Sequence, residues 1–269
     1  MSMNSVPASA GIDWLVGAAS LAKRWPLVFP VMGLIIALIG LIPFLGGLVT
    51  LILGPALIGG TVAAAHTANR GGAPSAGQLF QGFQQSDRVG ALVALCIPTV
   101  VALLVAAALV FVFAIGAFIS GALANAQALL DNPQAIWAAF GGGLLLLIPL
   151  LVALLLAAYA FTYFAIPRCM LGSIEAFPAM GESWRAARAN AGAFAVSCIV
   201  LLVGSWVLLY VLSLLHLGRI GDLLTSAAVY TVLGPMLYFG TRAVFGDATH
   251  MPTAADSTTP ATPPPPPAA

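Results

Sequence analysis

Residues 25–66 read WPLVFPVMGLIIALIGLIPFLGGLVTLILGPALIGGTVAAAH. No Asp, Glu, Lys or Arg occurs in this stretch, and it is about twice the length of the roughly 20 apolar residues that cross a bilayer. Its one break is Ile42-Pro43-Phe44-Leu45-Gly46-Gly47. A proline followed by a glycine pair is turn chemistry, so the stretch predicts a helical hairpin with spans near 25–43 and 48–66.

Outward from this hairpin the pattern repeats. Apolar blocks at 89–119, 137–166, 191–215 and 223–240 bring the expected number of spans to six. The third and fourth blocks exceed the bilayer thickness and are expected to tilt, kink or protrude. Over the whole chain 61 % of residues are hydrophobic and 6 % are charged, where soluble domains carry roughly 25 % charged residues. A soluble core of this size cannot hide that much apolar surface, so the solvent of residues 25–245 is expected to be lipid.

The basic residues orient the spans. Lys23 and Arg24, Arg70 and Arg88, Arg168, Arg185 and Arg188, and Arg242 all fall at one set of alternate breaks; only Arg219 falls at the other. By the positive-inside rule both termini are expected in the cytoplasm. Trp25 and Trp137 at span starts, and Tyr159, Phe161, Tyr163 and Phe164 at the end of the fourth block, suit headgroup depth. The N-terminus lacks a basic stretch followed by a short apolar run, so no cleavable signal peptide is expected. Cys96, Cys169 and Cys198 show no ligand spacing and read as small buried hydrophobes. A net charge of +1 gives no case for a nucleic-acid partner. The segment 246–269 ends in a proline run and is expected to be a solvated tail of polyproline II character.

Before each pair of spans lies a stretch with amphipathic helical spacing. Trp14, Ala18, Leu21 and Trp25 share one face of the first, with Asp13 early and Lys23 and Arg24 late, the order that complements a helix dipole. In the second, Ser75 and Gln78 form a capping-box pattern, and Leu79, Phe80 and Phe83 oppose Gln81, Gln84 and Gln85. In the third, Phe177, Met180, Trp184 and Ala187 form the stripe, and Glu182, Arg185 and Arg188 the polar side. Such helices are expected to lie in the membrane interface, with Trp14, Lys23, Arg24, Phe80, Trp184, Arg185 and Arg188 as its contact residues. The fold class expected is therefore an all-α membrane bundle of three hairpins, each preceded by a short cytoplasmic amphipathic helix. Gly17, Gly82 and Gly181 fall at similar places before a basic side chain. They fit either an internal repeat or the ordinary look of cytoplasmic loops.

Residues for chemistry are few. Prolines 30, 55, 98, 149 and 235 lie inside apolar blocks and each removes a backbone hydrogen bond. Gly54-Pro55 with Gly59 and Gly60, and Pro98, are the candidate helix-break sites. Their small residues suit close helix packing, and broken helices also line substrate sites. Block centres hold no ionisable residue, which argues against proton relays and voltage sensing. His66, near the end of the second span, reads as an interfacial side chain. No HExxH, GxxxxGK[ST] or GxSxG occurs, so no catalytic residue, cofactor or metal is expected.

Three stretches, LIPFLGGLVTLILGPALIGG (41–60), RGGAPSAGQLFQGF (70–83) and EAFPAMGESWRAARANAGAF (175–194), resemble a family of proteobacterial six-span inner-membrane proteins of unknown function. More distantly, the arrangement is similar to the membrane domain fused to some glycerophosphodiester phosphodiesterases, without the hydrolase. The resemblance implies a bacterial inner-membrane location and carries over no catalytic residue. The expected role is a non-enzymatic scaffold or envelope-homeostasis factor, whose partners are the phospholipid bilayer and a second copy or another membrane protein. The alternatives are a transporter or lipid-handling protein with a cavity around the kinked spans, and a membrane enzyme using Glu175, Glu182 and Arg185.

Overall fold

The computed structural model describes residues 3–84, 86–123, 133–172 and 174–246. The proline-rich tail lies outside them, as do Gln85 and Asp131. The described residues form helices and no strands. They comprise α1 (Ala10–Arg24), α2 (Phe29–Gly40), α3 (Leu45–Asn69), a 3-10 turn (Ala76–Phe80), α4 (Gln81–Gln84), α5 (Ser86–Ala94), α6 (Ile97–Leu123), α7 (Pro133–Thr162), α8 (Ala165–Gly172), α9 (Ala176–Ala189), α10 (Ala191–Leu214) and α11 (Arg219–Phe245). Five helical stretches are long and apolar enough to cross a membrane, and the count reaches six if one bent pair is a single span.

Prolines explain where the helices stop. A proline removes the hydrogen bond to the carbonyl four residues earlier and crowds that carbonyl. Pro98 acts on Ala94, where α5 ends, and Pro167 acts on Tyr163, in the break between α7 and α8. Pro98 thus stands in the first turn of α6, where a proline is tolerated. It is not the mid-span breaker expected from the sequence. Pro55, Pro149 and Pro235 lie within α3, α7 and α11, which continue past them.

The first expected span is corrected. Within 25–43 the helix runs only from Phe29 to Gly40 (α2), and it is bent by 104° from α1 at a short break. Pro26 accounts for the bend, since the residue before a proline leaves the helical region, as Trp25 does, while Pro30 stands in the first turn of α2 where a proline is tolerated. With 12 residues, α2 is about 18 Å long, short of the roughly 30 Å hydrocarbon core. It lies along α11, its closest approach at Gly33, where an added Cβ would stand 2.8 Å from the Thr231 amide nitrogen. The turn after α2 falls where Pro43 and the glycine pair placed it. Gly46 sits there against the Gly40 carbonyl group, and Phe44 adopts φ 61° with its ring fully exposed.

The amphipathic stretches are also used differently from the expectation. Trp14, Ala18 and Leu21 do form one face of α1, but that face packs on α10 and α11, not on lipid. Ile12 and Val16 on the far side of α1 are exposed. In the second stretch Gln78 accepts the Ser75 N–H at 3.1 Å, the reach-back half of the expected capping box, and Leu79 is fully buried. In α9 the buried face is Ala176, Ala179, Met180, Ser183, Ala186 and Ala187, while Phe177 is exposed.

Packing is concentrated at the end carrying most basic residues, here the basic end. There α8, buried from Ala165 through Leu171, sits among α3, α5, α9 and α11. Away from it the helices form smaller groups, with α2 kept on α11. Among the described residues α6 packs along α7, and neither forms a comparable interface with α2, α3, α10 or α11.

Candidate functional site

The basic end holds the most elaborate polar arrangement. The break between α7 and α8 frees backbone groups, and buried polar groups without partners are costly. Ser183 of α9 supplies both partners: its hydroxyl donates to the Ala160 carbonyl at 2.7 Å and accepts the Phe164 N–H at 3.0 Å. One turn of α8 further on, Arg168 is buried to 1 % exposure. Its Nε and Nη2 donate to one carboxylate oxygen of Glu182, at 3.1 and 2.8 Å. The guanidinium also lies 4.8 Å from the Phe245 ring centroid, a cation–π distance. A buried guanidinium keeps its charge, so the carboxylate and the ring are what make its burial tolerable.

Aromatic rings fill the space between this pair and α1. Trp14 packs on Tyr163 and Phe164 with centroids 6.2 and 6.3 Å apart, and Tyr163 donates to Ser197 of α10 at 3.3 Å. Tyr159 and Tyr163 both meet Phe194, which is where α7 and α10 touch before they part. On the other flank Asn69 donates to the Tyr238 hydroxyl at 3.1 Å, and His66 meets the Tyr238 ring edge-on. Arg88 of α5 donates to the Met170 carbonyl at 2.8 Å.

The candidate break sites of α3 are packing sites on their small-residue face. Gly60 lies against the Leu79 carbonyl, closer than any Cβ allows, and Gly59 faces Leu92 and Met170. Gly54 is buried and Pro55 half-buried. Leu92, Leu95 and Met170 are fully buried beside them, so no open space surrounds this face. Pro98 is half-buried and removed from it by the α5–α6 break.

The expected interface residues divide. Trp14 is a core side chain at 3 % exposure, and Trp184 stacks on Phe161 at 4.8 Å. Lys23, Arg24, Phe80, Arg185 and Arg188 are exposed. Arg168, Glu182 and Ser183 carry the arrangement, yet the charge pattern treated Arg168 as an orientation signal and Glu182 as surface. The three glycines of the possible repeat have unlike surroundings. Gly17 faces the Phe239 ring, Gly82 faces the Ala56 carbonyl, and Gly181 faces open space.

The opposite end has a second, smaller arrangement. Between α2 and α11 lies a cavity of about 360 Å³ lined by Gly40, Arg219, Asp222, Ser226 and Tyr230. A neighbouring cavity reaches Ser213, His216 and Asp222. Among the described residues no three His, Cys, Asp or Glu side chains group as metal ligands. The buried Arg168–Glu182 pair can hold helices together, and its geometry leaves Glu182 as the only face of the pair that reaches water. Comparison with known proteins gives no match to a family model, a curated protein or a solved structure.

Proposed function

We propose that the chain is a non-enzymatic scaffold of the bacterial inner membrane, with its basic end and both termini in the cytoplasm. One observation carries the reading: packing among many helices gathers at the basic end, and away from it the α6–α7 pair stands apart from the other helices. Exposed apolar side chains run along α6 (Leu104, Phe111, Val112), α7 (Leu145, Leu146) and α10 (Trp206, Tyr210, Leu214). A rigid cap with separated apolar arms offers surface to lipid and to the helices of a second copy or another membrane protein, and needs no moving part. Eight basic residues of nine at the capped end favour the cytoplasmic orientation.

One feature favours a second reading, a lipid-handling protein. Beyond the Tyr159–Phe194 contact α7 and α10 carry exposed apolar side chains with no sizeable interface between them, which leaves room for lipid to enter. A solute cavity beside Pro55 finds no such support, because that part of α3 is packed.

Reconstitution separates the two. The protein is placed in phosphatidylethanolamine–phosphatidylglycerol vesicles containing a trace of fluorescent lipid, and dithionite is added outside. A scaffold leaves the inner-leaflet label protected as in protein-free vesicles. Protein-dependent bleaching of the inner leaflet would overturn the scaffold reading in favour of lipid movement.

A further inference from the structure

The groove between α2 and α11 at the end opposite the basic one has a property shared by no other surface described above. Arg219 and Asp222 lie one turn apart, Ser226 one turn further and Tyr230 another, all lining the same cavity of about 360 Å³. At 1.5 Å per residue, Asp222 is about 4.5 Å and Ser226 about 10 Å along the axis from Arg219.

None of the four side chains has a partner within the protein among the described residues. Arg219 and Asp222 could pair at this spacing, as i,i+3 charges do, but they form no ion pair with each other. Five Ser and Thr hydroxyls of α10 and α11 bond back to their own helix, Ser197, Ser205, Ser213, Thr225 and Thr231 at 2.7–2.9 Å, while the Thr241 hydroxyl has no partner among the described residues. The Ser226 hydroxyl makes no such bond. Arg219 is moreover the first residue of α11, the end of a helix where a cation is disfavoured. Helix stability therefore does not explain it, and neither does orientation, since it lies on the side opposite the other eight basic residues.

Ala37, Gly40, Leu41 and Leu223 complete the lining, and exposed apolar side chains adjoin it in sequence. Leu38 and Leu41 of α2 are 48 and 45 % exposed, and Ile220 and Leu224 of α11 are 58 and 42 % exposed. The groove lies where α2 ends: Gly40 and Leu41 line it together with Arg219 and Asp222 in the first turn of α11.

We propose that this groove binds the headgroup of a phospholipid carrying both a phosphodiester and a primary ammonium, the phosphatidylethanolamine type, from the leaflet opposite the basic end. Arg219 donates to the phosphodiester, for which a guanidinium fork is suited. Asp222 accepts from the ammonium, and the Ser226 and Tyr230 hydroxyls donate to the ester carbonyls one to two turns deeper. The acyl chains continue over Leu38, Leu41 and Leu224. Choline lacks N–H donors, so Asp222 distinguishes it from ethanolamine. This site is independent of whether the protein is a scaffold or moves lipid.

The test uses the full-length protein in vesicles of equal parts phosphatidylethanolamine, phosphatidylcholine and phosphatidylglycerol, released gently and read by native mass spectrometry. The wild type is expected to retain phosphatidylethanolamine over phosphatidylcholine by about tenfold, the value of one charge-assisted hydrogen bond at a partly wet site. Arg219→Gln is expected to lose the retained lipid, and Asp222→Asn to keep phospholipid but lose the preference for ethanolamine. Both side chains are exposed, and size-exclusion profiles matching the wild type show that the fold is intact. Retention in proportion to the bilayer composition, or variants that retain lipid as the wild type does, overturns the proposal. Displacement of the lipid by soluble phosphoethanolamine alone also overturns it, because the site would then read a free headgroup.

Discussion

The Arg168–Glu182 pair allows an asymmetric prediction about stability. Arg168 is 1 % exposed and cannot lose its charge, whereas the Glu182 side chain is 27 % exposed. Glu182→Ala takes the carboxylate away from a buried guanidinium, and breaking a buried pair in this way costs about 3 kcal/mol, the lower part of the usual range. Glu182→Gln keeps an amide oxygen for the 2.8 and 3.1 Å hydrogen bonds and is expected to cost about half as much. Arg168→Met deletes the charge, fills most of the volume and leaves a carboxylate that can hydrate, so its cost is about 1–2 kcal/mol, including the lost ring contact. The double variant Arg168→Met with Glu182→Ala is expected within about 1 kcal/mol of Arg168→Met alone, a coupling of at least 2 kcal/mol. Unfolding by sodium dodecyl sulfate in mixed micelles measures all four proteins. Equal costs for Glu182→Ala and Arg168→Met, or simple additivity in the double variant, would refute the reasoning.

Three further outcomes are expected in the same unfolding assay. Ser183→Ala removes both partners at the α7–α8 break and costs about 1–3 kcal/mol. If it proves neutral, the break is held by something other than that hydroxyl. Gly60→Ala drives a methyl group into the Leu79 carbonyl and costs about 1–3 kcal/mol, while Gly181→Ala, in open space within α9, stabilises by up to about 1 kcal/mol. The opposite order would show that the two glycines have been misread. Trp14→Ala, at 3 % exposure, costs about 3–5 kcal/mol, whereas Trp206→Ala, at 68 % exposure on α10, stays within about 0.5 kcal/mol. Comparable losses from the two would place Trp206 in a contact between chains.

Much of this architecture was legible in the residues. Pro43 with Gly46 and Gly47 marked the α2–α3 turn, Ser75 with Gln78 marked the start of the 3-10 turn, and the apolar blocks near 48–66, 191–215 and 223–240 correspond to α3, α10 and α11. What escaped was whatever depends on a partner distant in sequence. Periodicity identified the Trp14 face of α1 as apolar but could not say whether protein or lipid would meet it. The charge count read Arg168 by the side of the membrane it marked, and nothing local to it announces that Glu182 returns to pair with it. Ser183 carries no motif at all, since its role is set by a break in another helix. The breaks themselves had a signal that was passed over, a proline four residues downstream, as with Pro98 and Pro167. Arg219 is the exception to the charge pattern, and only the end of α2 beside it makes Arg219 and Asp222 the rim of a groove.

The seating of α2 on α11 has a consequence for how the protein is made. Gly40 leaves the ribosome roughly 180 residues before Arg219, a delay of about 10–35 s at ordinary elongation rates. During that interval α2, too short to cross on its own, has its Gly33 face bare, and α1 has neither of the helices that bury Trp14. The seat of α2 is therefore supplied by a helix synthesised long after it. A chain interrupted before residue 219 leaves its own beginning without a seat, which makes the arrival of α11 the checkpoint between an inserted polypeptide and a folded one.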